Sequence, residues 1–543
     1  MNDEARFVEL LFPSLAAAGG ILLWQSLKQG PANLRAWMLT AVLAAVLSGC
    51  ANNPPPRRPS EPLPSRAPAP APALQPQMLP SPPAPAREMR GVWVATVRNI
   101  DWPSKPGLSV AQQQAELTNL FNLAASLKFN AVILQIRPES DALYASALEP
   151  WSATLSGRMG QPPPAAYDPL QFAVAQAHQR NLELHAWFNP FRALIKGTST
   201  PTSNHISRTH PEWMVDYGKF LWINPARPDA REHILDVIRD VVRRYDIDGV
   251  QFDDYFYPDP ETNAAGKKLP FNDDTAWRTY QAGGGSLSRA DWRRSNIDAF
   301  VQGAYRVVKQ EKPWVKFGIS PRGMWTNSYA NVFADPHRWL SNGWVDYLSP
   351  QLYWSDQVPG RAYAGLLRDW VASNPLHRHL WPGHFDSEIG ADNPPKMTTQ
   401  DIVRQIETTR RQPGASGDLH YSAIALLQNR GGLDNELARL YARPALVPSS
   451  PWLSWIAPAK PSLSSQWTAR GLRLSWQPAA GAASWQWVLQ MKIAGDWSMT
   501  VFPGNVSACV IPSAATAPQA FAVSALDRYG NLSPPAVLPY PAR

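Results

Sequence analysis

The chain has 543 residues, 44% of them hydrophobic, and it carries a formal net charge of +8. This length exceeds that of one compact domain, and the hydrophobic content excludes a chain that is disordered throughout. Two cysteines exclude a disulfide framework, and the basic residues form no dense run or motif of the kind that binds nucleic acid. The basic balance suits an acidic partner, and the 24 tryptophans either fill a large core or stack on sugar rings.

The N-terminus has the pattern of an export signal. An apolar run at residues 37–47 follows Lys28 and Arg35, and it leads into the sequence LSGC, which ends at Cys50. The run is too short to span a membrane comfortably, whereas this order of charged, apolar and small residues is typical of a signal peptide. The junction resembles a bacterial lipobox, which implies a lipid on Cys50; the alternative is an ordinary signal peptide with a chance cysteine. We therefore predict a signal peptide with a lipobox over residues 1–50.

Residues 51–87 are rich in Pro, Ala and Ser, and we predict that they form a linker. Segments of this kind are semi-rigid, polyproline-like spacers of about 3 Å per residue, so this one could extend for about 100 Å. An Asp directly after the lipobox cysteine would resemble an inner-membrane retention signal, but Ala51 follows Cys50. This favours an outer-membrane lipoprotein of the cell envelope that faces the periplasm. Such a spacer would let a folded domain reach a layer that stands off the membrane.

Residues 88–445 alternate between short apolar runs and helical periodicity. We predict strands at residues 91–97, 131–137, 182–188, 249–253, 315–320, 345–353, 379–384 and 422–427. We predict helices at residues 112–127, 169–180, 229–245, 289–310 and 398–411. Eight strand–helix units favour the α/β class and a (β/α)8 TIM barrel with long loops. The alternative is a doubly wound open sheet, which usually has fewer strands and a glycine-rich phosphate loop that this sequence lacks.

Polar residues follow nearly every predicted strand, whereas the strand interiors are apolar. The catalytic residues of TIM barrels come from the carboxyl ends of the strands, so these positions are the candidates for chemistry. They include Arg137, Glu139, Asp141, His185, Asn189, Gln251, Asp253, Asp254, Arg322, Gln351, Tyr353, Trp354 and His384. This asymmetry predicts an active face at one end of the barrel.

Eight motifs in the central region are highly specific when they are taken together. They are residues 90–93 (RGVW), 149–152 (EPWS), 167–170 (YDPL), 184–190 (LHAWFNP), 245–258 (YDIDGVQFDDYFYP), 291–296 (DWRRSN), 317–321 (FGISP) and 350–354 (PQLYW). Over roughly residues 88–440 the chain resembles the glycosyl-hydrolase-like 10 family, in particular its divisome-localised glycosidases that cleave denuded peptidoglycan. The resemblance implies a TIM-like barrel, hydrolysis of glycan strands, and division-machinery proteins among the partners. Arg322 departs from the pattern, since an apolar or aromatic residue is expected there.

Glycoside hydrolysis normally uses two carboxyl groups that flank the scissile bond. Side chains alternate along a strand, so Asp253 shares a face with Gln251, and neither suits the helix layer. We therefore predict that both point into the barrel and that Asp253 is a catalytic carboxylate. Asp254 is then a second catalytic carboxyl or an orienting partner. The alternatives for the Asp pair are a loop cap and a divalent-cation site, but no further ligand motif supports a metal.

The second carboxyl is sought among acids that follow the second and seventh strands. Glu139 is the first choice, because Pro138 stiffens the turn before it; Asp141, Asp386 and Glu388 are the others. The alternative for each is an acid on a solvated loop. No Gly-x-Ser-x-Gly elbow and no His-Glu-x-x-His zinc motif offers a different hydrolase chemistry, and no cofactor is expected.

The remaining strand-end residues are assigned to substrate binding. They are Arg137, His185, Asn189, Arg322, Gln351, Tyr353, Trp354 and His384. The arginines suit sugar carboxylates, the His and Asn side chains suit hydroxyl groups, and the two aromatic rings suit stacking on sugars. The alternatives are an ion pair in the barrel mouth for Arg137 and a structural role for the buried histidines.

From residue 449 to residue 543 the pattern is that of short β-strands. Residues 472–476 (LRLSW) and 485–490 (WQWVLQ) alternate in polarity, which favours a β-sandwich. These strands and a late one at residues 520–527 resemble a fibronectin type III domain, which implies a role in spacing or binding. We expect Cys509 to be a buried small residue.

Two functions from different classes remain open. The first is a hydrolase that cleaves peptidoglycan glycan strands, and the second is a non-catalytic glycan-binding lipoprotein whose barrel has kept its cleft. Only the first requires Asp253. Removal of the stem peptides exposes the lactyl carboxylates of muramic acid, which would suit Arg137 and Arg322, so we expect stripped strands to be preferred.

Overall fold

The computed structural model describes residues 81–542, apart from 165–166, 356–357, 392–396, 480–482 and 513–516. The predicted signal peptide, Cys50 and most of the predicted linker lie outside these residues. The end of the linker packs on the folded protein, because the carbonyl of Ala86 accepts from the N–H of Leu446 and Arg87 donates to the carbonyl of Val447, each at 2.9 Å. Within the described residues, no helix is both long and apolar enough to cross a membrane.

The strands of residues 88–445 belong to a large parallel sheet and a small antiparallel one. The parallel sheet contains β1 (Met89–Val94), β2 (Ala131–Arg137), β3 (Glu183–Phe188), β7 (Gly249–Phe252), β8 (Lys316–Ile319), β9 (Tyr347–Leu348), β10 (His379–Leu380), β11 (Gly383–His384) and β12 (Gly417–His420). The small sheet contains β4 (Arg192–Ile195), β5 (Met214–Tyr217) and β6 (Phe220–Ile223). It is an insertion after β3 that the sequence did not predict.

The parallel sheet is curled, and its strand order is β10-β9-β8-β7-β3-β2-β1-β12-β11. The two outermost strands, β10 and β11, are halves of one chain segment that is interrupted at Trp381 and Pro382. The first half pairs with β9 and the second half pairs with β12. The two ends of the strand order are therefore consecutive in the chain.

The eighth predicted strand, at residues 422–427, is wrong. Residues Ala423–Leu427 form a short helix, and the strand that pairs with β1 is β12, a few residues earlier. A short apolar run is compatible with either a buried strand or a buried helix, and periodicity alone does not separate the two. The correction places Tyr421, rather than Gln428, directly after the last strand.

Helices cover one face of the parallel sheet. They are α1 (Val110–Ser126), α2 (Ala153–Ser156), α3 (Pro169–His178), α4 (Ile206–Thr209), α5 (Pro228–Arg244), α6 (Asp274–Ala282), α7 (Arg289–Glu311), α8 (Trp325–Asn331), α9 (Pro336–Asn342), α10 (Tyr363–Ala372), α11 (Thr399–Arg411), α12 (Ala423–Leu427) and α13 (Leu433–Leu440). Local sequence sets several starts: Ser109 forms a capping box with Gln112, and Asp168 caps α3 ahead of a proline at its first position.

The two faces of the parallel sheet bury different side chains. Val132 and Leu134 of β2 pack into the large core with the helices, whereas Ala131 and Ile133 belong to a second buried cluster. This second cluster is formed from the opposite strand faces and contains Trp93, Trp187, Tyr347, Trp381 and Leu419. Because both faces are buried, the strands are nearly continuous apolar runs, as parallel strands usually are.

The C-terminal region contains two antiparallel sheets. One consists of β13 (Ser462–Thr468), β14 (Gly471–Gln477) and β17 (Ala508–Ile511), and the other of β15 (Gln486–Ile493), β16 (Asp496–Pro503), β18 (Ala520–Leu526) and β19 (Ala536–Pro539). Cys509 is buried, as predicted, and its thiol is free.

This region docks at the amino ends of the parallel strands. Arg528 pairs with Asp248, which precedes β7, at 2.9 Å, and the rings of Trp485 and His178 are 4.5 Å apart. The side chain of Asn181, just before β3, donates to the carbonyl of Val501 at 3.0 Å. The carboxyl ends of the strands lie at the opposite edge of the sheet.

Candidate active site

Asp253 lies at the carboxyl end of β7 and faces the second buried cluster. Its carboxylate accepts a long hydrogen bond from the indole of Trp187, at 3.4 Å, and the amide oxygen of Gln251 accepts from the hydroxyl of Tyr347 at 3.1 Å. Both donors belong to that cluster. The face that strand alternation predicts for Asp253 and Gln251 is therefore the face that they occupy.

Burial changes the acidity of Asp253 strongly. The residue is only 5% exposed, and this burial raises the pKa of its carboxyl to about 7. Arg192 opposes the rise, and the neighbouring carboxyl of Asp254 adds to it. A carboxyl with a pKa near neutrality can both give and take a proton at physiological pH.

Asp254 points to a different set of partners. Its carboxylate accepts from the side-chain amide of Gln351 at 3.1 Å and lies 3.0 Å from Nε of Arg322. Arg322 also pairs with Asp259, so two carboxylates already neutralise its charge. This placement corrects the prediction that Arg322 binds a sugar carboxylate and makes Gln351 a partner of Asp254. Asp254 is accordingly an oriented, ion-paired group.

Glu139 is a further buried acid at this end of the sheet. Burial, and then the neighbouring Asp141, raise the pKa of its carboxyl to about 7, while the N–H of Ile195 and the charge of Arg192 oppose the rise. The carboxylate accepts from the N–H of Ile195 at 2.8 Å and from the hydroxyl of Thr198 at 3.3 Å. Glu139 and Asp253 thus have similar acidities and share one cation in electrostatic reach.

That cation, Arg192, was missed by the sequence reasoning. It is the first residue of β4, which follows Asn189 and Pro190 in a segment where the sequence predicted no strand. A signal was present, since Arg192 is a single charge between the apolar residues Phe191 and Ala193. Such a charge in an apolar run is buried only when the fold supplies partners for it.

Aromatic rings form one side of the site. The ring of Tyr353 lies 4.6 Å from that of Phe385 and 6.1 Å from that of Tyr421, and Tyr421 is 6.2 Å from Trp93. Burial, with contributions from Asp101 and Asp253, raises the pKa of Tyr421 to about 12, which places this ring near the catalytic candidate. Tyr353 was predicted as a stacking residue, whereas Phe385 and Tyr421 were missed. Trp354, the other stacking candidate, is partly buried, and the guanidinium of Arg361 lies 5.1 Å from the centroid of its ring.

Arg137 does not reach the site. Its side chain is fully buried, its Nε donates to Glu149 at 2.8 Å, and its Nη1 donates to the carbonyls of Asn189 and Pro190 at 2.7 and 2.9 Å. This placement corrects the prediction of a substrate contact in favour of the alternative, an internal ion pair. Burying a guanidinium requires such partners, and Glu149, its ion-pair partner, belongs to the EPWS motif at residues 149–152.

The two histidines that were predicted to bind substrate are also buried inside the protein. His185 is 2.9 Å from the hydroxyl of Tyr347 and 3.0 Å from the carboxylate of Glu183. His384 faces the helix layer, at 2.8 Å from the side chain of Gln405 and 2.9 Å from Asp418. Both are 0% exposed, so neither can contact a sugar, and the predictions for them are corrected.

Asn189 remains at the end of β3, where its side-chain oxygen accepts from the amide of Gln135 at 2.7 Å. Among the described residues, no group of three or more His, Cys, Asp or Glu side chains is arranged to hold a metal ion.

The model of the family described as glycosyl hydrolase-like 10 matches residues 88–391. The chain belongs to this family. It is 41% identical over 399 residues to glycosyl hydrolase YngK of Bacillus subtilis, covering 69% of this chain and 76% of that protein. It is 30% identical over 446 residues to glycosyl hydrolase DigH of Escherichia coli, covering 73% of this chain and 96% of that protein. The glycoside hydrolase domain of PgaB (BpsB) from Bordetella bronchiseptica aligns with 65% of this chain and 98% of that domain, at 15% identity and a TM-score of 0.46.

The matched range of the family model includes every predicted site residue except Cys50. It also includes Arg192 and Phe385, which the sequence reasoning missed, but it ends before Tyr421. Membership of the family, together with relatives that are called glycosyl hydrolases, supports a glycosidase-type function.

Proposed function

We propose that this protein is a glycoside hydrolase of the bacterial envelope that cleaves the glycan strands of peptidoglycan. The observation that carries the proposal is Asp253, a carboxyl with a pKa of about 7, buried at the carboxyl end of a parallel strand in a glycosyl hydrolase-like chain. The choice of peptidoglycan rests on the resemblance to divisome-localised glycosidases of the family and on the predicted export signal.

Two carboxyls with similar acidity suit glycoside hydrolysis. A protonated carboxyl gives its proton to the glycosidic oxygen, and an ionised one stabilises the oxocarbenium-like transition state or activates water. We assign these roles to the pair Asp253 and Glu139, each with a pKa of about 7. Asp254 serves as an orienting group, because Gln351 and Arg322 engage it.

We further infer that residues 88–445 form a closed (β/α)8 barrel. The support is that β10 and β11, at the two ends of the strand order, are halves of one segment, so this segment occupies a single position between β9 and β12. Catalytic groups at the carboxyl ends of the strands agree with this architecture. We also infer a fibronectin type III-like sandwich over residues 449–543, since antiparallel sheets of three and four strands agree with such a domain.

We propose that the protein is an outer-membrane lipoprotein anchored through Cys50, with residues 51–87 as the spacer. Replacing Cys50 by Ala should leave the chain unlipidated and release it from the membrane fraction, whereas wild-type protein stays there. Membrane fractionation and labelling with a radioactive fatty acid test this proposal. A Cys50→Ala protein that remains in the outer membrane contradicts it.

The hydrolase proposal is tested by digestion of purified sacculi. We expect wild-type protein to release soluble saccharides and Asp253→Asn to lose at least about a hundredfold in rate, since a positioned acid or base typically contributes that much. The matched control is Asp274→Asn, a half-exposed carboxylate at the start of α6, which should keep full activity. Mass spectrometry of the products separates hydrolysis from a transglycosylase reaction, which would leave anhydro ends.

Two outcomes contradict the proposal in different ways. Tight binding of glycan strands without any release of saccharides indicates the non-catalytic glycan-binding protein instead. Activity of Asp253→Asn within a few-fold of wild type removes Asp253 from the mechanism. If Asp253 and Glu139 both act, kcat/KM should also decline on either side of pH 7, because one group must be protonated and the other ionised.

A further inference from the structure

Two side chains after β3 carry hydrogen-bond donors without an acceptor. Nδ2 of Asn189 and Nη2 of Arg192 are both buried, and neither has a hydrogen-bond partner in the described part of the chain. The two residues are 1% and 7% exposed. A buried donor without a partner costs about 1–3 kcal/mol, and more when the group is charged. Such a pair beside a catalytic acid indicates that a ligand supplies the acceptor.

The orientation of Asn189 is set by the neighbouring strands. The side-chain oxygen of Gln135 accepts from the backbone N–H groups of Thr96 and Val97, at 2.9 and 2.8 Å. A backbone N–H can only donate, so the amide of Gln135 cannot be turned, and its nitrogen donates to the side-chain oxygen of Asn189 at 2.7 Å. Asn189 is therefore held with its own nitrogen as the free group.

Arg192 is held in a similar way. Its Nε donates to the carbonyl of Pro138 at 3.1 Å, and its guanidinium carbon lies 5.4 Å from the centroid of the ring of Tyr255. Its charge opposes the rise in the pKa of both Glu139 and Asp253, so it acts on both proposed catalytic acids. The guanidinium is thus fixed near the reacting groups while Nη2 stays unused.

We propose that Asn189 and Arg192 form a carboxylate subsite beside Asp253 that binds the free acid of an acidic sugar. On the proposed function, which this inference extends, that acid is the lactyl carboxylate of a muramic acid from which the stem peptide has been removed. Arg192 has the carboxylate-binding role that the sequence predicted for Arg137 and Arg322, because those two arginines already pair with carboxylates of the protein.

The chemistry of the two donors favours a carboxylate over other acceptors. A hydroxyl could accept from Asn189 but would leave the buried charge of Arg192 without a counter-charge. A guanidinium edge matches the two oxygens of a carboxylate, and such charge-assisted bonds are shorter and stronger than neutral ones. A phosphate would bring additional negative charge next to Glu139 and Asp253. An amide, as in peptide-bearing strands, has no charge to offer.

The test compares binding of two ligands that differ only in this charge. Peptide-free glycan strands are used as they are and after their carboxylates have been converted to primary amides, which keep the size of the group. Binding is measured with the Asp253→Asn protein, so that no cleavage occurs, and at pH 6, below the pKa of about 7 of Glu139. We expect the acid strands to bind about tenfold to a hundredfold more tightly than the amides, the range for hydrogen bonds to a charged group.

The variants are then added to this background. Arg192→Gln should bring the ratio of the two affinities close to one. Asn189→Asp, which still accepts from Gln135 but presents an oxygen in place of Nδ2, should reduce the affinity for acid strands in particular. The matched control is Arg243→Gln, which removes a 64% exposed arginine from the last turn of α5. It should keep the ratio of the two affinities that the Asp253→Asn protein shows. Thermal melts establish that each variant is folded.

The outcomes separate the subsite from the hydrolase. Equal affinity for acid and amide strands in the parent overturns the subsite, and so does an unchanged ratio in both Arg192→Gln and Asn189→Asp. Preferential binding of acid strands by a protein whose wild type does not cleave them supports the subsite and refutes the hydrolase. Cleavage of acid and amide strands at equal rates by wild type supports the hydrolase and overturns the subsite.

Discussion

The two ends of the parallel sheet both bury carboxyl groups, but they treat them in opposite ways. At the amino end, burial raises the pKa of Glu183, but Lys316 and His185 outweigh it and hold the pKa below its usual range. The pKa of Asp248 is lowered in the same way, because the charges of His178 and Arg528 outweigh the effect of burial. At the carboxyl end, burial prevails, and the pKa values of Asp253 and Glu139 both rise to about 7.

The difference between the ends is the distance to a cation. Nζ of Lys316 is 2.8 Å from the carboxylate of Glu183, and Arg528 is 2.9 Å from that of Asp248. At the carboxyl end, Arg192 opposes the rise in pKa of both acids, but its Nη2 bonds to neither of them. Burial therefore prevails for Asp253 and Glu139, to which no cation bonds, and also for Asp254, whose pKa is raised although Nε of Arg322 lies 3.0 Å away. Ion pairs therefore stabilise the buried carboxylates of the amino end, whereas the raised pKa values at the carboxyl end agree with the proton transfer that we propose there.

The largest effect on stability is expected from removing the cation at the amino end. Lys316 is 2% exposed, and Lys316→Met would leave Glu183 buried without its main counter-charge. Breaking a buried pair in this way costs about 3–5 kcal/mol, which we expect as a loss in the free energy of unfolding measured with denaturant. The control is Lys219→Met, in which a 69% exposed lysine lies 4.0 Å from Glu261, and its effect should be within experimental error.

The double variant Lys316→Met/Glu183→Gln makes this first test sharper. If the cost comes from the unpaired charge, removal of both charges should recover part of the lost stability. A single variant that loses less than about 1 kcal/mol would show that the amino end does not depend on its ion pairs, and the contrast between the two ends would disappear.

At the carboxyl end the opposite result is expected, because a buried acid without a bonded cation destabilises the fold when it ionises. The folded pKa of Asp253 is about 7, well above its value in an unfolded chain. Its contribution to stability is therefore complete below about pH 4 and is lost as the pH rises through 7. Asp253→Asn should thus be more stable than wild type at pH 8, by on the order of 3 kcal/mol, and this gain should vanish towards pH 4.

Thermal and denaturant unfolding of both proteins from pH 4 to pH 8 measures this difference. A constant gap across the range would mean that Asp253 does not titrate near neutrality in the folded protein. The same exchange at the amino end, Asp248→Asn, should show the reverse trend, with its loss largest above pH 5, because the folded pKa of Asp248 is lowered.

A smaller effect is expected where the C-terminal region docks. Arg528 pairs with Asp246 and Asp248, and its guanidinium carbon lies 4.0 Å from the ring centroid of Trp485. The side chain is 21% exposed, so Arg528→Gln should cost about 1–2 kcal/mol of unfolding free energy. Because it lies at the amino end, kcat/KM on glycan strands should stay within about twofold of wild type. A large loss of activity with an unchanged melting temperature would mean that the two ends are coupled.

Local pattern was enough to predict much of the sheet. The second strand was predicted at residues 131–137, the bounds of β2, and the side of β7 that Asp253 faces followed from its spacing to Gln251. The prediction of the last strand was wrong because an apolar run of five residues has no periodicity that distinguishes a helix from a strand. The insertion β4–β6 was not predicted because short antiparallel strands gain most of their stability from the strands beside them.

The candidate site was predictable only in part. Asp253, Asp254 and Glu139 were found because acids at strand ends are conspicuous. Arg192 and Tyr421 were missed because β4, which begins with Arg192, and β12, which ends just before Tyr421, were not predicted. The errors at Arg137 and His384 have a common cause. Each is polar and ends a strand, but its partners, Glu149 for one and Gln405 and Asp418 for the other, lie in other elements.

The amino-acid sequence was sufficient to identify the family, through motifs between residues 90 and 354, and the strand face that Asp253 occupies; the family model then matched residues 88–391. Both are local properties, since a motif is a run of neighbours and a strand alternates with a period of two. Which charges are neutralised, in contrast, depends on contacts between elements that are far apart in the chain. Glu183, the partner of Lys316, is 133 residues away in the chain, and Asp254, the partner of Arg322, follows a different strand. No local sequence pattern therefore distinguishes Lys316 and Arg322 from Arg192. Electrostatic interactions depend on distance in space, and the curled sheet sets those distances.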